Sequence, residues 1–242
     1  MAFSNDDLAG KSVTQVCPGC LGTALTTVPN GHRCKSCIKR ICLPCKRASD
    51  RVYGQALWAR LHREVLTYYS GGTPKCSLCG ETQFEFLALD HVNGDGAEHR
   101  REVGQGPYQL RDLQKRGYPQ GFRVLCHNCN HLVRPKKGYK SAYHEVYFRR
   151  LREDVLQHYG GEHLSCKCCG HDDFRVMTID HIEGGGKAHR LVTGNGMAFY
   201  RWLQRNGYPK GFRVLCQNCN HVRGHVRGYV GPCPHEAFRV VS

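Results

Sequence analysis

The chain has 242 residues, 16 of them cysteine, and a formal net charge of +15. That length has room for one large domain or two to three small ones. The N-terminal sequence has no apolar segment typical of a secretory signal, and no run approaches the ~18 apolar residues of a membrane span. We therefore expect no membrane association, and the composition argues against a secreted disulfide scaffold. A reducing, cytoplasmic compartment is predicted.

Most cysteines form Cys-x-x-Cys pairs, a spacing with which two thiolates can bind one tetrahedral zinc ion. The pairs are Cys17/Cys20, Cys34/Cys37, Cys42/Cys45, Cys76/Cys79, Cys126/Cys129, Cys166/Cys169 and Cys216/Cys219. We expect two or three structural Zn²⁺ sites. Because four thiolates around one zinc ion carry about −2, three such sites would leave a net charge of roughly +9. This charge favours a polyanion, and nucleic acid, either DNA or RNA, is the expected partner.

Residues 1–55 are predicted to form a zinc-ribbon-like segment with six cysteines. Cys17, Cys20, Cys34 and Cys37 have the spacing of a small ribbon, and Cys42/Cys45 is a competing second pair. One zinc ion needs four of these six thiolates, and the spacing does not choose among them. Lysines and arginines lie between the cysteines, which suits contact with DNA.

The rest of the chain contains an internal duplication. Residues 60–139 align with 150–229 without a gap, and 36 of the 80 aligned positions are identical. We call the two predicted units copy one (56–140) and copy two (141–230), and a tail (231–242) follows. A unit of about 80 residues has a thin apolar core, so a zinc ion is expected to stabilise each copy. Cys168 and Cys233 have no counterpart under the repeat, and the sequence assigns them no role.

In chain order, each copy is predicted to contain a helix, a strand, a glycine-rich turn, a short helix, a second strand and a final helix. In copy one the first five elements cover 60–69, 84–91, 93–96, 107–116 and 122–126. The final helix is expected to begin at Asn130, and the equivalent helix of copy two at Asn220. This pattern predicts an α+β fold built from small zinc-stabilised modules.

Asp90 and His91 lie where the first predicted strand ends. A neutral imidazole can take a proton from water at neutral pH. A carboxylate and an amide oxygen are hard ligands that suit Mg²⁺ or Mn²⁺. We expect Asp90 and His91 to approach one site with Asn130, which the zinc-bound Cys129 would hold in place. The other interpretation is that Asp90 and His91 only cap the strand by hydrogen bonding.

The order Cys-x-x-Cys, Asp-His and Leu-Cys-x-Asn-Cys-Asn resembles the HNH, or His-metal finger, nuclease superfamily. The similarity is greatest to its zinc-bearing branch, which includes phage recombination endonuclease VII and many phage HNH proteins. It covers residues 76–131 and 166–221. The resemblance implies two ββα-metal (HNH) units in tandem after the zinc-ribbon-like segment. The family is also associated with a phage or mobile-element origin, so a phage-infected or bacterial cell is a possible location.

The resemblance assigns roles to matching residues of both copies. A structural zinc ion would be bound in copy one by Cys76, Cys79, Cys126 and Cys129, and in copy two by Cys166, Cys169, Cys216 and Cys219. The general bases would be His91 and His181. The catalytic Mg²⁺ or Mn²⁺ would be bound by Asp90 with Asn130 and by Asp180 with Asn220. His131 and His221 are alternatives to the asparagines.

Two functions of different classes follow. The first is a metal-dependent DNA endonuclease, a pseudo-dimeric monomer whose two sites cut both strands or branched DNA. The second is a non-catalytic zinc protein that binds DNA or RNA, or a ribonucleoprotein component. His99–Arg100 and His189–Arg190 are expected either to contact phosphate or to act as structural groups. Asn128 and Asn218 are expected to satisfy backbone groups of the zinc knuckles.

Overall fold

A computed structural model describes residues 43–134, 141–225 and 233–235. The described chain is a mixed α+β protein, which confirms the predicted fold class. The chain divides into two compact units, Met1–Trp58 and Ala59–Ser242. The second unit contains copy two and all of copy one except residues 56–58. The candidate zinc ligands Cys17, Cys20, Cys34 and Cys37 lie outside the described residues.

Copy one contains a hairpin of two strands flanked by helices. Its elements are α1 (Leu43–Tyr69), a 3₁₀ turn (Phe84–Phe86), β1 (Leu87–His91), α2 (Gly96–Val103), α3 (Pro107–Lys115), β2 (Phe122–Cys126) and α4 (His127–Val133). β1 and β2 pair antiparallel, with Asp90 opposite Arg123 and His91 opposite Phe122. α4 follows β2 directly and packs against both strands.

Copy two repeats this order. Its elements are α5 (Ala142–Gly160), a 3₁₀ turn (Phe174–Val176), β3 (Met177–His181), α6 (Gly186–Thr193), α7 (Met197–Arg205), β4 (Phe212–Cys216) and α8 (Gln217–His225). β3 and β4 pair antiparallel in the same register, with Asp180 opposite Arg213. Among the described helices of both copies, none is long and apolar enough to cross a membrane.

Three local features differ from the sequence prediction. The first strand begins at Leu87 rather than at residue 84, because Phe86 N–H donates to the carbonyl of Gln83 and closes a 3₁₀ turn. The last helix begins at His127 rather than at Asn130, because Cys126 Sγ accepts a hydrogen bond from Cys129 N–H at the helix start. The prediction also missed α2, whose sequence has no apolar stripe by which to recognise a helix.

The first helix of each copy is anchored to the turn that precedes the second strand. The hydroxyl of Tyr69 in α1 donates to the Pro119 carbonyl at 2.8 Å, and Tyr159 in α5 donates to Pro209 at the same distance. Tyr118 has a φ of 57°, in the left-handed region. Its N–H donates to the Leu113 carbonyl, which ends α3 and turns the chain towards β2.

The two copies share one hydrophobic core instead of folding as separate modules. Leu66 and Phe86 of copy one belong to the same buried cluster as Leu151, Leu156 and Leu215 of copy two. The sequence predicted small modules, each stabilised by its own zinc ion. The physical reason for the difference is size, because a unit of about 80 residues buries too little apolar surface alone and gains by packing against its repeat.

Candidate metal centres and active site

Four cysteines converge at the base of each hairpin. In copy one these are Cys76, Cys79, Cys126 and Cys129, and in copy two Cys166, Cys169, Cys216 and Cys219. In each group the sulfur atoms all lie within 4.8 Å of one another. The Sγ atoms of Cys79 and Cys126 are 3.7 Å apart, and those of Cys169 and Cys216 are 3.8 Å apart. Ligands about 2.3 Å from a tetrahedral zinc ion have this separation, so each group could hold zinc.

Backbone hydrogen bonds fix each group of thiols. Cys76 N–H donates to the Glu81 carbonyl, and Gly80 N–H donates to the Cys76 carbonyl, so the first pair lies on a closed turn. Ser77 N–H donates to Val124, which joins this turn to β2. Burial raises the pKa of the Cys126 thiol to about 11. A buried thiolate therefore needs a compensating cation, and a zinc dication supplies one.

His91, at the end of β1, begins a chain of hydrogen bonds. Its Nε2 lies 3.0 Å from Nδ1 of His99, whose own Nε2 lies 3.1 Å from Oδ2 of Asp112. Because the carboxylate accepts a hydrogen bond from His99 Nε2–H, Nδ1 of a neutral His99 is an acceptor. His91 must then donate through Nε2–H, and its Nδ1 keeps the lone pair. This bonding supports the structural interpretation of His99.

The free lone pair of His91 lies beside the start of α2. A Cβ atom placed on Gly96 would be 2.8 Å from His91 Nδ1, so a side chain at position 96 would press on the ring. His91 also borders an open cavity of about 260 Å³, together with Asp95, Glu98 and Arg116. Burial lowers the pKa of His91, and the nearby His99 and Arg100 lower it further. The carboxylates of Asp95 and Asp90 raise it, but the net shift is downward. His91 is therefore neutral at pH 7, as a proton acceptor must be.

Copy two keeps the histidine pair but changes its surroundings. His181 Nε2 lies 2.8 Å from His189 Nδ1. Trp202 occupies the position in copy two that is equivalent to Asp112 in copy one. Its ring packs edge-on against the ring of His189, with 4.4 Å between the ring centroids. In copy one Gln109 Nε2 lies 3.2 Å from His99 Nδ1. Phe199 takes the equivalent position in copy two and stacks on His181. Burial lowers the pKa of His181 as well. The two candidate bases thus share a geometry but differ in the group that fixes the supporting histidine.

The aspartate before each histidine has a different partner. Asp90 Oδ2 accepts from Arg123 Nε at 2.9 Å, and Asp180 Oδ2 from Arg213 Nε at 3.0 Å. Each arginine lies directly across the hairpin. Successive side chains of a strand point to opposite faces, and these bonds follow that alternation. The structure thus brings Asp90 to Arg123 and His91 to His99.

Asn130 and Asn220 lie in the first turns of α4 and α8, one residue after the last cysteine of each group. Both are half-buried. Joint binding of one ion by Asp90 and Asn130, or by Asp180 and Asn220, stays a prediction. The alternative ligand His221 has its ring stacked on His127 at 3.5 Å between centroids, in the contact between the copies.

Asn128 and Asn218 form reciprocal hydrogen bonds between the copies. Asn128 N–H donates to Oδ1 of Asn218 at 2.9 Å, and Asn218 N–H donates to Oδ1 of Asn128 at 3.0 Å. Asn218 is only 4% exposed. Each asparagine accepts a hydrogen bond from the backbone of a Cys-x-Asn-Cys turn, but that turn belongs to the other copy. This pair is the polar centre of the interface between α4 and α8.

Sequence reasoning missed Asp112, Gln109 and a third group of potential metal ligands. The third group comprises Cys168, Cys219, Cys233 and His235. Asp112 and Gln109 have no equivalents in copy two, so the repeat did not single them out. For Cys168 and Cys233 the available signal was that both lack a repeat partner. Comparisons with family models, curated proteins and solved structures yield no match for this chain.

Proposed function

We propose that the protein is a metal-dependent endonuclease that hydrolyses DNA phosphodiester bonds, with one site in each copy. One observation carries the proposal. In both copies a histidine with a lowered pKa ends the first strand of a hairpin. Its Nε2 lies within hydrogen-bond distance of a second histidine, and its Nδ1 lies beside the glycine that begins the next helix. A histidine fixed in this way suits the removal of a proton from water.

The roles of the residues follow from their chemistry. Nδ1 of His91 would take a proton from a water molecule, and the resulting hydroxide would attack phosphorus as the bond to the 3′ oxygen breaks. His99 and Asp112 would hold the ring and stabilise its protonated form. The oxygen donors of Asp90 and Asn130 fit a hard divalent ion, and Oδ2 of Asp90 is already engaged with Arg123. Such an ion supplies Lewis-acid stabilisation of the phosphate and the leaving oxygen.

A second function has its own support. In both copies the candidate aspartate forms an ion pair with an arginine. That bond would suit a structural aspartate in a protein that only binds nucleic acid. The net charge of +15 agrees with either function, since both need contact with phosphates. The two proposals differ in whether a divalent ion supports turnover.

Plasmid cleavage separates the two functions. Zinc-loaded protein is incubated with supercoiled and with branched DNA, with Mg²⁺, with Mn²⁺, or without either ion. Omitting the ion is better than adding a chelator, which would also remove structural zinc. We expect cleavage only with Mg²⁺ or Mn²⁺. His91→Ala and His181→Ala should each remove the cuts made by one copy, with rate losses of about 10²–10⁴-fold for general-base removal.

The matched control is His163→Ala, which removes an exposed histidine of copy two. It should cleave like the wild type. If the wild type leaves both DNA substrates intact in every metal but binds them in a salt-dependent manner, the non-catalytic function is the better conclusion. If cleavage occurs but survives His91→Ala and His181→Ala together, the assigned bases are wrong.

A further inference from the structure

The third ligand group lies where copy two meets the C-terminal segment. Cys168 belongs to the first cysteine turn of copy two, Cys219 to α8, and Cys233 and His235 to the segment 233–235. Their ligand atoms all lie within 4.8 Å of one another. His235 Nδ1 is 3.3 Å from Cys219 Sγ and 3.9 Å from Cys233 Sγ. These separations match ligands of one tetrahedral ion.

The burial of this group suits a closed structural site. Cys168 is 2% exposed, and Cys219 and Cys233 are both 0% exposed. Copy one has Leu78 at the position of Cys168, and Leu78 is 54% exposed. The same turn is thus covered in copy two and open in copy one. Three buried thiols and an imidazole form a ligand set that selects zinc over Mg²⁺ or Ca²⁺.

Cys219 belongs to two ligand groups at once. It lies with Cys166, Cys169 and Cys216 on one side and with Cys168, Cys233 and His235 on the other. Cys168 and Cys169 are neighbours in sequence and contribute to different groups. We propose that copy two binds two zinc ions and that the thiolate of Cys219 bridges them. Six thiolates around two zinc dications leave about −2, the same formal charge as a single four-cysteine site.

The second zinc ion would join the C-terminal segment to both copies. Its ligands come from copy two and the segment, while the ring of His235 lies 4.7 Å from that of Phe86 in copy one. Phe86 is completely buried in the shared core. Metal binding at this site would therefore secure the contact between the copies. The inference is independent of the nuclease proposal, because no candidate catalytic residue takes part.

Counting zinc ions in the full-length protein tests the site. Native mass spectrometry is applied to zinc-loaded wild type, to Cys233→Ser/His235→Ala, and to His163→Ala as control. Any zinc bound by the N-terminal cysteines adds the same number to every protein. We expect the double variant to bind one ion fewer than the wild type and the control. Equal numbers in all three proteins would overturn the proposal.

Cadmium NMR tests the shared thiolate. In wild type loaded with ¹¹³Cd, a bridging sulfur transmits scalar coupling between two metal nuclei, so two mutually coupled signals are expected. Cys168→Leu, which introduces the residue found at this position in copy one, should weaken the binding of one of these two ions in a competition with a chelator. Uncoupled signals would overturn the bridge. The coupling measured in the wild type tests the bridging thiolate even if circular dichroism shows that Cys233→Ser/His235→Ala fails to fold.

Discussion

The reciprocal bonds between Asn128 and Asn218 allow a quantitative test of the interface between the copies. Asn218→Ala removes the acceptor for the backbone N–H of Asn128, which lies in a partly buried contact. The opposite bond, from Asn218 N–H to Asn128, remains available. The variant therefore isolates one donor that loses its partner inside the protein. Its effect should exceed that of losing a solvent-exposed bond.

The expected cost follows from the burial of the pair. A buried donor without a partner costs about 1–3 kcal/mol. Since Asn218 is 4% exposed, we expect Asn218→Ala to lower the free energy of unfolding by about 2 kcal/mol, roughly a 30-fold change in the folding equilibrium. Asn128 is half-buried, so Asn128→Ala should cost about 1 kcal/mol. The double variant should cost less than the sum if loss of one bond already opens the contact.

Urea unfolding in excess zinc, followed by far-UV circular dichroism, measures these differences. The control is Asn206→Ala, which removes an exposed bond from Asn206 Nδ2 to the Trp202 carbonyl. It should stay within about 0.5 kcal/mol of the wild type. The paired asparagines do not hold the copies together if Asn218→Ala is no more destabilising than Asn206→Ala while the slope of unfolding free energy against urea concentration is unchanged.

Three further predictions follow from other contacts. Burial lowers the pKa of His62 to about 4. Below pH 6.5 the unfolded chain takes up this proton before the folded protein does, so the free energy of unfolding should fall by about 3 kcal/mol between pH 7 and pH 4. Urea unfolding at each pH should show a smaller loss in His62→Gln. Tyr69→Phe and Tyr159→Phe each remove one 2.8 Å hydrogen bond. Each should lower the free energy of unfolding by about 1 kcal/mol in the same assay. Clearly different losses in the two variants would argue against equivalent roles for the two tyrosines. The third prediction concerns Asp112, which positions His99 and through it His91. In a His181→Ala background, where only copy one can cut, Asp112→Asn should slow cleavage by about 10–100-fold and change the pH dependence of the rate. An unchanged pH dependence would mean that Asp112 has only a structural role.

The sequence predicted those features that depend on local spacing. The two four-cysteine groups were found because each pair lies on one turn and recurs ninety residues later. The strands ending in Cys126 and Cys216 were predicted because apolar residues precede each second cysteine pair, whereas their antiparallel pairing is seen only in the structure. Helix α3 was predicted within one residue, since glycine follows it closely. These features need no knowledge of what packs against the copy.

The features that were missed depend on contacts between distant segments. The shared core and the exchange between Asn128 and Asn218 arise only when the copies pack together. The group that includes Cys168 requires the segment 233–235 to return to copy two. Asp112 was missed for another reason, because a residue that pairs with a histidine at a distance of 13 positions shows no periodic pattern.

The difference between Asp112 and Trp202 has an evolutionary consequence. In an assembly of two identical chains, every substitution appears at both sites, so neither site can change alone. A single gene that encodes both copies removes this constraint. Asparagines 128 and 218 have kept matching roles at the symmetric contact. The pockets behind His91 and His181 have instead diverged, one acquiring a carboxylate and the other an indole, so mutation can tune each half without altering the other.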